Sequence, residues 1–217
     1  MQPRPDLADI AASSGIRNSR LLDAIRSVPR ADFVPPDRLH LASFDEPVTI
    51  GHDQVTTQPT LMAAMIEALA PGDDEVVLEV GTGCGYQTAL LAHLARFVWS
   101  VERWPDLASA ARTNLAAAGI VNAEVVTGDG SHGLPEHAPF NGIVVAAAFP
   151  QVPSPLVEQL APNGRLVQPI GPGGDEEVVL FEKRGDTLHR VRRVTLACFV
   201  RLVGAHGYRT TRGPESS

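Results

Sequence analysis

Apolar side chains punctuate residues 6–28 at a helical spacing: Leu7, Ile10 and Ala11, then Leu21, Leu22, Ile25 and Val28. The period lapses around Ser13 to Gly15, which predicts two short helices rather than one long one. Residues 29–59 are rich in Pro, Asp and His and keep no period, so they predict an irregular connector with brief strands. A connector of that length commonly carries function. Pro59 then opens a helical stretch that Pro71-Gly72 stops, and residues 75–80 form an apolar, β-branched strand.

From there strand and helix alternate: helix 86–95, strand 97–102, helix 105–119, strand 123–129, a short irregular piece, and strand 140–148. A helix over 153–160 and a strand over 165–169 follow. Beyond a Gly-rich turn, residues 176–183 and 187–203 read as strands around Arg184-Gly185-Asp186. The alternation predicts an α/β fold, a doubly wound, mostly parallel sheet of Rossmann-like type with antiparallel edge strands at its C-terminal end. The expected organisation is one compact unit: residues 1–58 as helices and connector, 59–208 as the ligand-binding α/β part, and 209–217 as a loose tail.

The chain's 217 residues, 44% hydrophobic and 20% charged, suffice for a substantial core. With 18 basic against 25 acidic residues the net charge is -7, which removes any global field that would recruit nucleic acid. Apolar stretches fall short of the ~20 residues of a membrane-spanning helix, and the first residues lack a basic-then-apolar signal pattern. Together with only two cysteines, Cys84 and Cys198, this leads us to expect a cytoplasmic protein, a monomer without membrane partners. The histidines show no metal-ligand spacing, and no metal is expected.

The strongest local signal is Glu79-Val80-Gly81-Thr82-Gly83-Cys84-Gly85, placed between an apolar strand and a helix. Glycines at alternate positions let the backbone turn sharply and approach a ligand, while the next helix offers free N–H groups. Such a loop serves NAD, FAD or S-adenosylmethionine; the G-x-G-x-G spacing departs from the dinucleotide fingerprint. Glu102, ending the next strand, suits the two hydroxyls of a ribose, and Gly128-Asp129-Gly130 ends the strand after that. Each acid alone reads better as a solvated strand end or a cap. Three consecutive strand ends favour a shared nucleoside site. Trp104 reads as packing before it reads as an adenosyl platform.

Several segments in order resemble one family: Val28-Pro29-Arg30 with Phe33-Val34-Pro35, Ile50-Gly51, Thr56-Thr57-Gln58-Pro59, Leu78 through Gln87, and Ser100-Val101-Glu102-Arg103. Gly128-Asp129-Gly130, Pro139-Phe140, the Ala146-Ala147-Ala148 run, Gly164-Arg165-Leu166-Val167, Pro169-Ile170-Gly171 and the closing Phe199-Val200-Arg201-Leu202-Val203 continue it. The chain resembles the protein-L-isoaspartate (D-aspartate) O-methyltransferases, class I S-adenosylmethionine-dependent methyltransferases. The resemblance implies S-adenosylmethionine as cofactor, S-adenosylhomocysteine as product, and isoaspartyl-containing proteins or peptides as substrate in protein repair. It implies cofactor contacts from Glu79, Gly81, Thr82, Gly83, Gly85, Glu102, Arg103, Asp129 and Gly130. On the acceptor side it implies Thr56, Gln58, Ala148 and Val200, with Thr57 touching the acceptor carboxylate. Thr57 equally suits a cap for the helix at Pro59. Asp45, Gln54 and Gln58 are candidate supports nearby.

The chain departs from the family where Val55-Thr56-Thr57 replaces the usual Thr-Ile-Ser, and at Thr49, Asp53, Phe149 and Arg201. Several of these positions are expected around the acceptor pocket, where they could redirect the enzyme to an aspartate-type carboxylate in a specific peptide. A non-catalytic adaptor that binds S-adenosylmethionine is the alternative of another class. A nucleic-acid methyltransferase is disfavoured: FNGIVVAAAFP lacks the Asn/Asp-Pro-Pro-aromatic segment and the charge is negative.

Overall fold

The computed structural model describes residues 6–172 and 174–209. Helices α1 (Leu7–Ser13) and α2 (Ser19–Ser27) begin where Asp6 and Asn18 accept hydrogen bonds from the N–H groups of Ala8 and Leu21. The connector holds 3-10 turns at Arg30–Asp32 and Pro36–Leu41, then a hairpin of β1 (Val48–Gly51) and β2 (Gln54–Thr56). Helix α3 (Pro59–Leu69) has proline at its first position, where the missing N–H costs nothing.

The remaining elements are β3 (Val76–Val80), α4 (Tyr86–Ala92), β4 (Phe97–Glu102), α5 (Pro105–Ala117), β5 (Ala123–Thr127), β6 (Phe140–Val145), α6 (Ser154–Glu158), β7 (Leu160–Ile170), β8 (Glu176–Arg184) and β9 (Thr187–Ala197). Strands β3 to β9 form one sheet in the order β5-β4-β3-β6-β7-β8-β9. Its first five members are parallel, whereas β8 and β9 are antiparallel additions.

Alternation along each strand feeds two cores. Val77, Val144 and Val167 bury against α1 to α5 on one face, while Leu78, Ile143 and Leu166 bury on the other against α6 and the segments around Leu134 and Leu202. Each such side chain contributes roughly 1.5–3 kcal/mol of burial. Both faces are covered, as the alternation predicts, but the second mostly by irregular chain, because no full helix links β5 to β6.

Several element ends fall a few residues from expectation, and two strand boundaries differ most. Strand β7 starts at Leu160, pairing Phe140 before an irregularity re-registers Arg165 against Gly142. Strand β9 ends at Ala197 rather than at 203. There the buried Glu176 carboxylate accepts from the Phe199 N–H at 2.8 Å, and the following segment pairs with Ala148 instead. Of the expected tail at 209–217, residues 210–217 lie outside the described residues. Among the described residues no helix is long and apolar enough to cross a membrane.

Candidate active site

Successive strands leave β3 toward β4 on one side and toward β6 on the other, so a crevice opens beyond the carboxyl ends of β3 and β6. Gly81 leaves β3 with φ 96°, and a Cβ there would lie 3.3 Å from the Ala146 Cβ at the end of β6. Gly83 has φ 56°, and its Cβ would come within 3.0 Å of Ile50 Cδ1 in the hairpin that roofs the loop. Both positions therefore favour glycine for conformation and for close approach.

Beneath the loop, Glu79 is fully buried. Its Oε2 accepts from the hydroxyls of Thr88 and Ser100, and the Thr82 hydroxyl meets Ser100 Oγ at 2.6 Å. Among the described residues its Oε1 has no hydrogen-bond partner. Burial raises the Glu79 pKa to about 7, against the lowering effect of the hydrogen bonds from Ser100 and Thr88. Glu79 and the Thr82 hydroxyl thus hold the loop from below.

Glu102 closes the crevice on the β4 side. Its Oε2 accepts from Gly83 N–H at 2.9 Å and its Oε1 from Trp104 N–H at 3.0 Å. Trp104 stacks on His52 at 4.0 Å, so it packs beneath the hairpin as the simpler reading held. Arg103 lies 4.8 Å over the Trp104 ring. Glu102, Arg103 and Gly130 line one hollow of about 60 Å³, and Glu102 with Gly81, Thr82 and Gly83 lines another of about 50 Å³.

The second hollow opens at Val55, Thr57, Ala146 and Val200 onto a groove of about 510 Å³. Leu61 and Ala64 of α3, Val194 and Leu196 of β9, and Phe199 form its apolar walls. Thr57 stands at the junction. Helix α3 is capped by Asp45 rather than Thr57: Asp45 Oδ1 accepts from Thr60 N–H and Oδ2 from the Thr60 hydroxyl, both at 2.8 Å. Gln58 donates to the same Oδ2 at 2.8 Å. Among the described residues the Thr57 hydroxyl has no hydrogen bond.

Four expected contacts change. Glu79 is fully buried under the loop and lines none of these spaces, so it supports the loop rather than touching a ligand. Gly85, with φ 91°, turns toward α5, where its Cβ would lie 3.4 Å from Ala111; it serves helix packing and lines none of these spaces. Asp129 is occupied internally, Oδ1 accepting from Ser131 and Oδ2 from Ala205 N–H. Burial would raise its pKa, yet those bonds outweigh it and hold the group below its usual range. Ala148 is buried, its N–H and carbonyl engaged with Val200 and Leu202, and Ala146 takes the place facing the groove. Of the departing positions Val55 and Thr57 line the groove. Asp53 sits at the hairpin tip, Phe149 packs on Tyr208, and Arg201 lies 5.0 Å over the Tyr208 ring.

A glycine loop at the switch point, an acid facing it from the next strand and two antiparallel closing strands define a Rossmann-like methyltransferase. The sequence profile described as protein-L-isoaspartate (D-aspartate) O-methyltransferase matches residues 4–207, and the chain belongs to that family. Relatives named protein-L-isoaspartate O-methyltransferase include one from Methanoculleus marisnigri, 46% identical over 92% of this chain and 90% of its own, and one from Myxococcus xanthus, 46% identical over 95% and 97%. A solved structure of that name aligns with TM-score 0.83 at 27% identity over 94% of this chain and 67% of its own. A Plasmodium falciparum protein solved with S-adenosyl-L-homocysteine shares the fold, with TM-score 0.77 at 22% identity over 94% of this chain and 99% of its own.

Sequence reasoning passed over Arg30, Ala146 and the groove residues Leu61, Ala64, Leu196 and Phe199. Arg30 had a signal, being the arginine of the quoted Val28-Pro29-Arg30 segment, set between apolar Val28 and Phe33. The groove residues had none, because each reads as ordinary core.

Proposed function

We propose that this chain transfers the methyl group of S-adenosylmethionine to the α-carboxylate that an isoaspartyl linkage leaves free, and so serves repair of damaged proteins in the cytoplasm. The observation that carries this reading is the Thr57 hydroxyl, unused by the fold, at the junction between the glycine-loop hollow and the apolar groove. When bound, the donor supplies an electrophilic methyl on a sulfonium.

The cradle of Gly81 and Gly83 suits a closely held nucleoside, and Glu102 offers acceptors to its ribose. The two hollows are well below the ~300 Å³ at which small-molecule pockets begin. The β1–β2 hairpin over the loop is held where His52 Nε2 meets Asp106 at 2.8 Å, and one hollow is continuous with the groove of about 510 Å³.

A peptide carboxylate of ordinary pKa about 3.3 to 3.9 is ionised near neutrality, so the protein need not supply a base. Thr57 donates to one carboxylate oxygen and leaves the other toward the donor. Val55, Phe199 and Val200 give the junction apolar walls. Alignment of this kind contributes roughly 7–11 kcal/mol in favourable cases.

The test is methyl transfer to matched peptides carrying Asp or isoAsp. Base-labile methyl ester on the isoAsp peptide alone is expected. Ester on the Asp peptide alone would favour a diverged acceptor, and ester on neither, despite donor binding, an adaptor.

A further inference from the structure

Arg30 is 3% exposed and makes no ion pair among the described residues. Four backbone carbonyls surround it instead: Phe44 and Glu46 accept at 3.0 Å, Thr57 at 3.3 Å and Thr56 at 3.5 Å. The carboxylate whose field reaches it, Asp45, is committed to Thr60 and Gln58. A full positive charge is thus held behind the wall that Thr56 and Thr57 present to the site, and arginine keeps that charge even when burial presses its pKa down.

Two consequences follow from this placement. Carbonyl oxygens drawn inward to Arg30 are oxygens not directed at the cavity, where their partial negative charge would repel an anion. The charge itself favours a carboxylate over a neutral group of the same shape at Thr57, since a low-dielectric wall screens it weakly.

Building on the function proposed above, we propose that Arg30 is the positioning residue of the acceptor side: its fork fixes the Thr56–Thr57 backbone, and its unpaired charge selects the ionised α-carboxylate. Methylation abolishes the selected charge, so the same residue favours departure of the neutral ester.

The experiment compares binding of an isoaspartyl peptide and its α-carboxamide counterpart, by calorimetry with S-adenosylhomocysteine present. The wild-type chain is expected to prefer the carboxylate by on the order of tenfold. Arg30→Met should lose that preference, the carboxylate peptide weakening about tenfold more than the carboxamide, while S-adenosylhomocysteine binding persists. Arg30→Lys should keep the preference but lose kcat, because one ammonium cannot hold both pairs of carbonyls. Equal weakening of both peptides in Arg30→Met, with the preference intact, would reduce Arg30 to a structural brace and overturn the assignment. Equal affinity of the wild-type chain for the two peptides would overturn it even if Arg30→Met fails to fold. Absence of ester formation on any isoaspartyl peptide by the wild-type chain would remove the underlying function and this assignment with it, whereas normal turnover with equal binding removes the assignment alone.

Discussion

Replacing Glu79 with Gln should flatten the pH dependence of stability in the donor-free protein. The carboxyl is fully buried, and burial raises its pKa from 4.5 to about 7. Between these values the folded state holds a proton that the unfolded state releases. The favourable contribution is therefore complete below pH 4.5 and is lost as pH rises through about 7. At 1.36 kcal/mol per unit, the shift amounts to roughly 3 kcal/mol. Urea unfolding of wild type and Glu79→Gln at intervals from pH 5 to pH 8.5 measures it. The wild type should lose on the order of 3 kcal/mol more than the variant across that range. Parallel curves, offset by a constant, would refute the claim that Glu79 enters the folded core protonated.

Thr57→Val should lower turnover by about 10- to 100-fold, the worth of a hydrogen bond to a charged group, with donor affinity nearly intact in calorimetry; equal loss of both would contradict the role given to Thr57. Glu102→Ala leaves the N–H groups of Gly83 and Trp104 without their acceptor, so donor binding should weaken by about tenfold or more. An unchanged Kd would exclude Glu102 from the donor site. Gly130→Ala would put a Cβ 2.5 Å from Val80 Cγ1, an overpacking that should cost about 1–3 kcal/mol in urea unfolding.

The sheet and its helices were legible because their signal is local. Apolar runs such as 75–80 and 97–102 alternate with helical stretches, and neighbouring side chains report which period they obey. The glycine loop and Glu102 were legible for a related reason: a turn that needs positive φ and an acid closing a strand are both written in adjacent residues. Strand β9 was overrun by six positions because the apolar pattern continues past Ala197, while the break is imposed by Glu176, some twenty residues earlier in the chain.

What the sequence determined by itself was the order of elements, the two-faced patterning of the strands and the place of the ligand loop. Tertiary structure alone decided which side chains face the site. Asp45 reaches across 15 residues to cap α3 and so frees Thr57, and Arg30 draws in carbonyls up to 27 residues away. Asp129 turns its carboxylate to Ala205, 76 positions on, and Gly85 yields to α5. The physical reason is that periodicity encodes which face a residue takes on its own element, whereas the partner of a hydrogen bond or a buried charge is chosen by segments that meet only when the chain has folded.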